Sequence, residues 1–315
     1  MKNIKPILYM TVGLPGSGKS HWCNKHKDEL NVVVHSSDAI REELGDVNDQ
    51  SKNTEVFEIL HKRIKDDLQA GNNVIYDATN LSRKRRIHFI QHELRYILCE
   101  KVCILFATPY EMCLARNFAR DRQVPEGVIC RMVKSFETPW HSEGFDDIQI
   151  VWSDYNGLLG FEYDIMEDMD RWKLINHDNP HHRMSIGDHM VNAEFHYVKK
   201  YNVCKPHLQL AIFMHDCGKP DVKAFVNSKG EDCDIAHFYS HESLGSYKSL
   251  FYIRELCDDY TDKDVLYVSL LIGLHMRPHL SWKQSEKAKT KDRILFGDDI
   301  IRDIEILHEC DLAAH

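Results

Sequence analysis

Eight residues, Gly13-Leu14-Pro15-Gly16-Ser17-Gly18-Lys19-Ser20, restrict what this chain can fold into more than any other stretch. Glycine at the first and sixth positions, then lysine, then a hydroxyl residue, completes the phosphate-loop pattern. The apolar run Ile7 to Val12 reads as the buried strand that must precede it, and His21 to Lys27 as the helix that must follow. Such glycines let the backbone curl until its N–H groups face phosphate oxygens, and the helix adds the positive end of its dipole. The cradle spans Gly13, Pro15, Gly16, Ser17 and Gly18; Lys19 reaches the terminal phosphates of a nucleoside triphosphate, and Ser20 ligates the magnesium that accompanies them.

From Ile7 to about Trp152 short apolar runs alternate with helix-period segments. Val32 to His35, Asn73 to Tyr76, Lys101 to Phe106 and Ile148 to Trp152 are strand-like, whereas Thr54 to Ala70, Arg83 to Ile97 and Pro109 to Asn117 are helix-like. Alternation of this kind predicts a parallel sheet with flanking helices, an α/β domain with ligands beyond the carboxyl ends of the strands. Asp38 and Arg41, one helical turn apart after the second strand, can face that cleft, where a carboxylate can take the proton of an attacking hydroxyl. The same pair also fits a helix N-cap aspartate beside a solvated arginine. Asp77, Thr79 and Asn80 supply polar groups at the same rim, or a capped turn. Arg116, Arg120 and Arg122 suit a lid over the phosphates or a solvated helix face. The run Ser82 to Arg86 suits a nucleic-acid path or an ordinary charged helical turn.

In order and spacing, the loop, Asp38-x-x-Arg41, Asp77-x-Thr79-Asn80-Leu81, Arg116-Asn117-x-x-Arg120 and Val124-Pro125 resemble the kinase module of 5′-hydroxyl polynucleotide kinases. The resemblance covers nearly all of Ile7 to Ser135. It implies phosphoryl transfer from ATP, with Mg2+, to a 5′-hydroxyl end, with Asp38 as general base, Arg41 on the acceptor strand's phosphate and Arg120 on the ATP phosphates. Ser36-Ser37 stands where that family's pattern leads one to expect a more polar, often basic pair.

The 315 residues allow two cores of ordinary size. A composition 43% hydrophobic and 28% charged is that of a folded chain. No apolar run approaches a membrane span, and the N-terminus lacks a signal-peptide pattern, so the expectation is a cytoplasmic protein without a membrane partner. The ten cysteines fall without a Cys-x-x-Cys pair and read as reduced, mostly buried thiols. A net charge of −9 argues against wrapping long duplex nucleic acid, but not against a short strand end in a locally basic cleft. Seven of the twenty histidines lie before Asn156 and thirteen after it, which points to different chemistry in the two halves. The acidic, glycine-containing stretch from Trp152 to Trp172 places a boundary there: a kinase domain at 1–155, a linker at 156–175 and a second domain at 176–315. From Gly187 onward the apolar spacing is mostly helical, and the second domain is predicted all-α.

His189, then His215-Asp216, His241, His275 and Asp311 fall at helix-compatible places. Adjacent histidine and aspartate on an apolar helix cost free energy to bury unpaired, and a metal ion resolves that cost. The ordered set resembles the HD metal-dependent phosphohydrolase superfamily. Asn179-Pro180-His181-His182, Asp188-His189, His215-Asp216-x-Gly218-Lys219-Pro220, His237-Phe238-x-x-His241-Glu242 and His275-Met276-Arg277-Pro278 are similar to the HD domain of bacterial tRNA nucleotidyltransferases. That resemblance implies His189, His215, Asp216 and Asp311 as metal ligands, and His241 and His275 as ligands of a second metal. It makes Lys219 and Arg277 candidates for gripping a substrate phosphate. Mixed nitrogen and oxygen ligation favours one or two divalent transition metals, Mn, Ni, Co or Fe, over magnesium. The two resemblances together imply an enzyme that heals nucleic-acid ends, RNA above all. It phosphorylates a 5′-hydroxyl and hydrolyses a 2′,3′-cyclic or terminal 2′- or 3′-phosphate at single-stranded or nicked ends, with a separate RNA ligase as partner. The alternative is a small-molecule or nucleoside kinase fused to an HD nucleotidase or phosphodiesterase.

Overall fold

The computed structural model describes residues 5–45, 51–120, 122–153, 163–180, 183–201 and 205–314. The chain divides into two units, Met1–Met132 with Pro139–Tyr155, and Val133–Thr138 with Asn156–His315. The expected boundary is therefore close, but a short segment before residue 139 is built into the second unit. Residues 156–162 of the expected linker, and the His181-His182 pair, lie outside the described residues.

The first unit contains β1 (Ile7–Val12), α1 (Lys19–His26), β2 (Val32–Ser36), α2 (Ser37–Glu43), α3 (Asn53–Gln69), β3 (Asn73–Asp77), α4 (Arg83–Ile87), β4 (Glu100–Ala107), α5 (Tyr110–Phe118), α6 (Glu126–Val133) and β5 (Asp147–Trp152). The strands form one sheet in the order β2-β3-β1-β4-β5, and every adjacent pair is parallel. Leu8, Val74, Ile104 and Leu105 are wholly buried, as strands covered on both faces must be. The ends of β1, β2 and β3 lie side by side, so the loops that follow them open on one edge.

The helix expected over Arg83 to Ile97 departs from a continuous α-helix: α4 is followed by a π-helical turn at His88–Glu93. In that turn Glu93 accepts from His61 Nδ1 at 2.7 Å and Lys65 Nζ at 3.1 Å, while Phe89 is buried. The basic run is divided: Arg83 and Arg86 are buried against Glu143, with Arg86 Nε 2.6 Å from its Oε2, while Lys84 and Arg85 are exposed.

The second unit contains α7 (Ile165–Trp172), α8 (Ile186–Lys200), α9 (Pro206–Met214), α10 (Lys219–Val222), β6 (Ala224–Val226), β7 (Asp232–His237), α11 (His241–Leu256), α12 (Asp262–Leu274), α13 (Glu286–Phe296) and α14 (Asp298–Ala313). Two expectations are corrected here. The supposed linker holds α7, capped by Asp164, whose Oδ1 accepts from Met166 N at 2.8 Å. Its acidic residues Glu167 and Asp170 are the outer face of an amphipathic helix that buries Ile165, Met169 and Trp172. The domain is also not all helical, because β6 and β7 pair as an antiparallel hairpin. Its turn is closed by Asn227, whose Oδ1 accepts from Lys229 N at 2.9 Å and Glu231 N at 3.1 Å.

The core is built on α12, packed between α9 and α11 and buried along most of its length. Thr138, from the short upstream segment, has its Oγ1 2.7 Å from Ser246 Oγ and 2.8 Å from Ser269 Oγ, so three hydroxyls satisfy one another inside that core. Among the described residues all cysteines are free thiols, and no helix is long and apolar enough to cross a membrane.

Candidate active sites

In the first unit the loop after β1 turns sharply at Gly16, where φ is +86° and a Cβ would come within 2.3 Å of the Cys113 carbonyl oxygen. Only glycine allows the loop to lie that close to α5. Thr108, after β4, braces the loop by donating to the Ser17 carbonyl at 3.1 Å. Lys19 opens α1 and is buried, its Nζ donating to the carbonyls of Leu14 at 2.7 Å and Gly13 at 3.1 Å. Burial lowers its pKa, and Asp77 opposes the shift. Ser20 Oγ donates to Asp77 Oδ2 at 3.0 Å. Burial raises the Asp77 pKa, with Lys19 and Ser20 acting against it. Asp77 thus pairs with the loop's last hydroxyl while lining the same cavity as Asp38 and Arg41.

The cap of α2 is Ser36, whose side chain accepts from Asp38 N at 3.3 Å, so Asp38 is not the N-cap and its carboxylate is available to other partners. Oδ1 accepts from Arg41 Nη1 and Oδ2 pairs with Arg122 Nη1, both at 2.9 Å. Arg41 is buried; its Nη2 donates to Asn53 Oδ1 at 2.8 Å, while its Nε has no partner among the described residues. Lys19, Ser20, Asp38, Arg41, Arg120 and Phe57 line one cavity of about 910 Å³. Arg41 thus brings to the cavity a guanidinium whose Nε lies buried and unpartnered, and such a group suits an anionic oxygen.

Of three further expected residues, one lines the cavity and two fall outside it. Asn80 is outside the cavity, at φ +43°, its Nδ2 donating to the Thr11 carbonyl at 2.9 Å. Thr79 lines the cavity, and its carbonyl accepts from Gly13 N at 3.0 Å. Arg116 is outside the lining, near Gly18, its Nη1 directed at Ser153 Oγ at 3.4 Å. α5 ends at Phe118, so Arg120 and Arg122 belong to the connection after it.

In the second unit four histidines converge from α8 and from the ends of α9, α11 and α12. Their Nδ1 atoms face backbone carbonyls: His189 faces Ala314 at 3.4 Å, His215 Ile212 at 2.7 Å, His241 Phe238 at 2.8 Å and His275 Ile272 at 2.7 Å. A proton on each Nδ1 satisfies that contact and leaves the Nε2 lone pair turned inward. Two groups result, His189 with His215 and Asp311, and Asp216 with His241 and His275. Asp216 belongs to both: Oδ2 is 3.3 Å from His215 Nε2, and Oδ1 is 3.3 Å from His241 Nε2.

Gly218 brings this about by close approach, since a Cβ there would lie 2.2 Å from the His241 carbonyl oxygen. Burial disfavours a proton on His275 and moves its pKa to about 3. Burial acts likewise on His215, but Asp216 and Asp311 outweigh it and raise that pKa to about 10. Nε2 atoms stand 3.3 Å apart in the first pair and 3.1 Å apart in the second. Asp216 Oδ2 is buried without an aligned hydrogen-bond donor, although Lys219 Nζ is 2.6 Å away. Converging imidazole lone pairs and an under-satisfied carboxylate fit one or two divalent cations.

Lys219 faces this cluster, but Arg277 does not stand ready for a phosphate. Its Nε and Nη2 donate to Asp292 at 2.9 and 2.7 Å, and Asp292 also accepts from Trp282 Nε1. His177 was not foreseen. It is buried with Nδ1 2.9 Å from the Met184 carbonyl and Nε2 3.3 Å from Lys219 Nζ. Burial and the Lys219 charge lower its pKa to about 4. Its sequence signal was the His177-Asp178 pair ahead of Asn179-Pro180.

The sheet order and the phosphate loop define a nucleotide-binding α/β domain of the P-loop class. Residues 8–139 match the family model described as AAA domain. The chain is 30% identical over 175 residues to the L-seryl-tRNA(Sec) kinase of Methanococcus maripaludis, covering 51% of this chain and 66% of that protein. It is 28% identical over 158 residues to transcription factor bHLH140 of Arabidopsis thaliana, covering 48% of this chain and 16% of that protein. A chain from the Pnkp1/Rnl/Hen1 RNA repair complex aligns at 23% identity and a TM-score of 0.37, covering 42% of this chain and 44% of that one. The chain therefore spans less than two thirds of each of these relatives. The first unit is a P-loop α/β domain similar in sequence to a kinase, and ATP with Mg2+ is the ligand pair that such relatives imply.

Proposed function

We propose that the chain is a bifunctional end-healing enzyme, a 5′-hydroxyl polynucleotide kinase joined to an HD-type metal-dependent phosphohydrolase, acting on RNA ends. The reading rests on one observation: Asp38 and Arg41 line the same cavity as Lys19 and Ser20. Lys19 and Arg120 hold the ATP phosphates. The hydroxyl oxygen bonds to the γ-phosphorus as its proton passes to Asp38, and the bond to ADP breaks. Arg41 offers its orphaned Nε to the acceptor's phosphate, and as it turns to that anion Asp38 loses one of its two cationic partners. The archaeal relative's named acceptor is a seryl-tRNA, which supports a hydroxyl carried on nucleic acid.

In the second unit His189, His215 and Asp311 would hold one divalent metal, and Asp216, His241 and His275 another. When bound, such ions supply Lewis acidity and lower the pKa of water. The chain's own part is orientation. Backbone carbonyls fix the four imidazoles, and His177 steadies Lys219 beside Asp216, where the ammonium can meet a phosphoryl oxygen. Opening a 2′,3′-cyclic phosphate consumes one water and breaks its P–O3′ bond, which leaves a 3′-hydroxyl and a 2′-phosphate on the same ribose. The products, a 5′-phosphate and a freed 3′ end, are what a separate RNA ligase requires.

A short RNA with a 5′-hydroxyl and a 2′,3′-cyclic phosphate, incubated with ATP and magnesium with and without manganese or nickel, tests both activities by mass. Gain of a 5′-phosphate and opening or loss of the cyclic phosphate are expected. No change at either end, from folded and metal-loaded protein, would overturn the proposal in favour of a small nucleotide or metabolite substrate.

A further inference from the structure

Between Arg277 and Arg293 the sequence holds six lysines and arginines against two acids, a local charge of +4. Since the whole chain carries −9, the remainder carries −9 − 4 = −13. The stretch comprises the π-helical turn Pro278–Trp282 and α13, and both pack against α14, the helix bearing Asp311. Three of its cations are used internally: Arg277 on Asp292, Lys289 on Glu305 and Arg293 on Asp298. Lys283, Lys287 and Lys291 are exposed and have no ion pair or side-chain hydrogen bond among the described residues. Lys287 and Lys291 are one helical turn apart, about 6 Å along the axis.

A second observation ties this row to the metal-ligating cluster. His308 lies one turn before Asp311 on α14, half-buried, and its Nδ1 is buried without a partner among the described residues. Asp311 on α14 and His279 and Lys283 of the basic stretch lie near enough to act on its charge, the first in the opposite sense to the other two. The exposed His279, Lys283, Lys287 and Lys291 therefore form a cationic row on elements packed against the helix that carries His308 and Asp311. A row of unpaired ammonium groups matches a flexible polyanion better than a mononucleotide, which has no charge to set against the distal lysines.

We infer that this row is a track for the phosphodiester backbone of a single strand whose 3′ end enters the cluster of His189, His215, Asp216 and Asp311. The inference rests on the hydrolase reading and deepens it, because it names the surface along which the strand behind that end would lie. Each strand phosphate neutralised by a lysine releases about 0.7 of a counterion, so three lysines contribute a log–log salt slope of about −2.

The test compares the intact protein with the triple variant Lys283→Ser, Lys287→Ser, Lys291→Ser, using two substrates, a short RNA ending in a 2′,3′-cyclic phosphate and a nucleoside 2′,3′-cyclic phosphate. For the RNA, KM should rise on the order of tenfold and its salt slope should flatten by about 2. Turnover of the nucleoside compound should not change. An equal effect on both substrates, or on neither, would overturn the track. If neither protein hydrolyses either compound, the hydrolase reading fails by itself. The track is then judged by the anisotropy of a labelled 3′-hydroxyl RNA. A difference in salt slope between the two proteins sustains it, since any kinase-unit contribution is common to both, and identical slopes overturn it.

Discussion

At the residue scale the consequential group is Asp38, whose two oxygens are shared between Arg41 and Arg122. On the proposed function, Asp38→Ala removes the proton acceptor and should lower kinase turnover by about 10²- to 10⁴-fold while leaving hydrolase turnover unchanged. Arg122→Ala leaves the carboxylate in place and should have a much smaller effect, read chiefly in KM for the acceptor. Loss of both activities in folded Asp38→Ala protein would contradict separate sites. The Asp38-x-x-Arg41 pair was legible because three-residue spacing on a helix puts both side chains on one face. The Arg122 partnership was not, because the connection after α5 returns to α2 only in three dimensions. Asn80 misled for the opposite reason. Its place beside Thr79 marks it as a rim residue, but a left-handed backbone turns its amide onto the Thr11 carbonyl.

At the element scale the two sites depend on close backbone approaches at glycine. Gly218→Ala should force α11 away from the segment carrying Asp216, because its Cβ would meet the His241 carbonyl at 2.2 Å. A destabilisation of about 1–3 kcal/mol is expected, with weakened metal binding and intact ATP binding. Gly127→Ala, whose Cβ meets nothing nearer than Arg131 Nη1 at 3.9 Å, should leave thermal unfolding almost unchanged. Calorimetric unfolding of both variants, with and without manganese, checks this. The strands and most helices could be read from apolar period, since each buries a regular face. α7 was hidden by its acids, which form the outer face of a helix, and the β6–β7 hairpin by strands too short and too exposed to show a clear alternation.

At the scale of the whole molecule, burial of neutral histidines makes stability depend on pH. His177 and His275 have pKa values lowered to about 4 and about 3, against 6.5 in an unfolded chain. Below pH 6.5 the unfolded chain therefore binds more protons than the folded one, and stability falls as pH falls toward those values. At pH 5 each histidine costs about 2 kcal/mol. His215, raised to about 10, is protonated in both states at pH 5 and adds little to the slope there; its own contribution is lost only as pH rises from 6.5 through 10. The melting temperature of metal-free protein should drop between pH 7 and pH 5, and a flat profile would contradict the buried neutral state of these two residues. By itself the sequence determined the phosphate loop, the α/β alternation and the order of His and Asp in the second half, because those depend on local spacing and on the cost of burying polar groups. Only the tertiary structure decided that Asp77 joins Ser20, that Arg277 is held by Asp292, that His177 meets Lys219 and that Asp216 faces two histidine groups at once. Those pairings join residues far apart in the chain, and no local periodicity encodes which distant element a side chain will face.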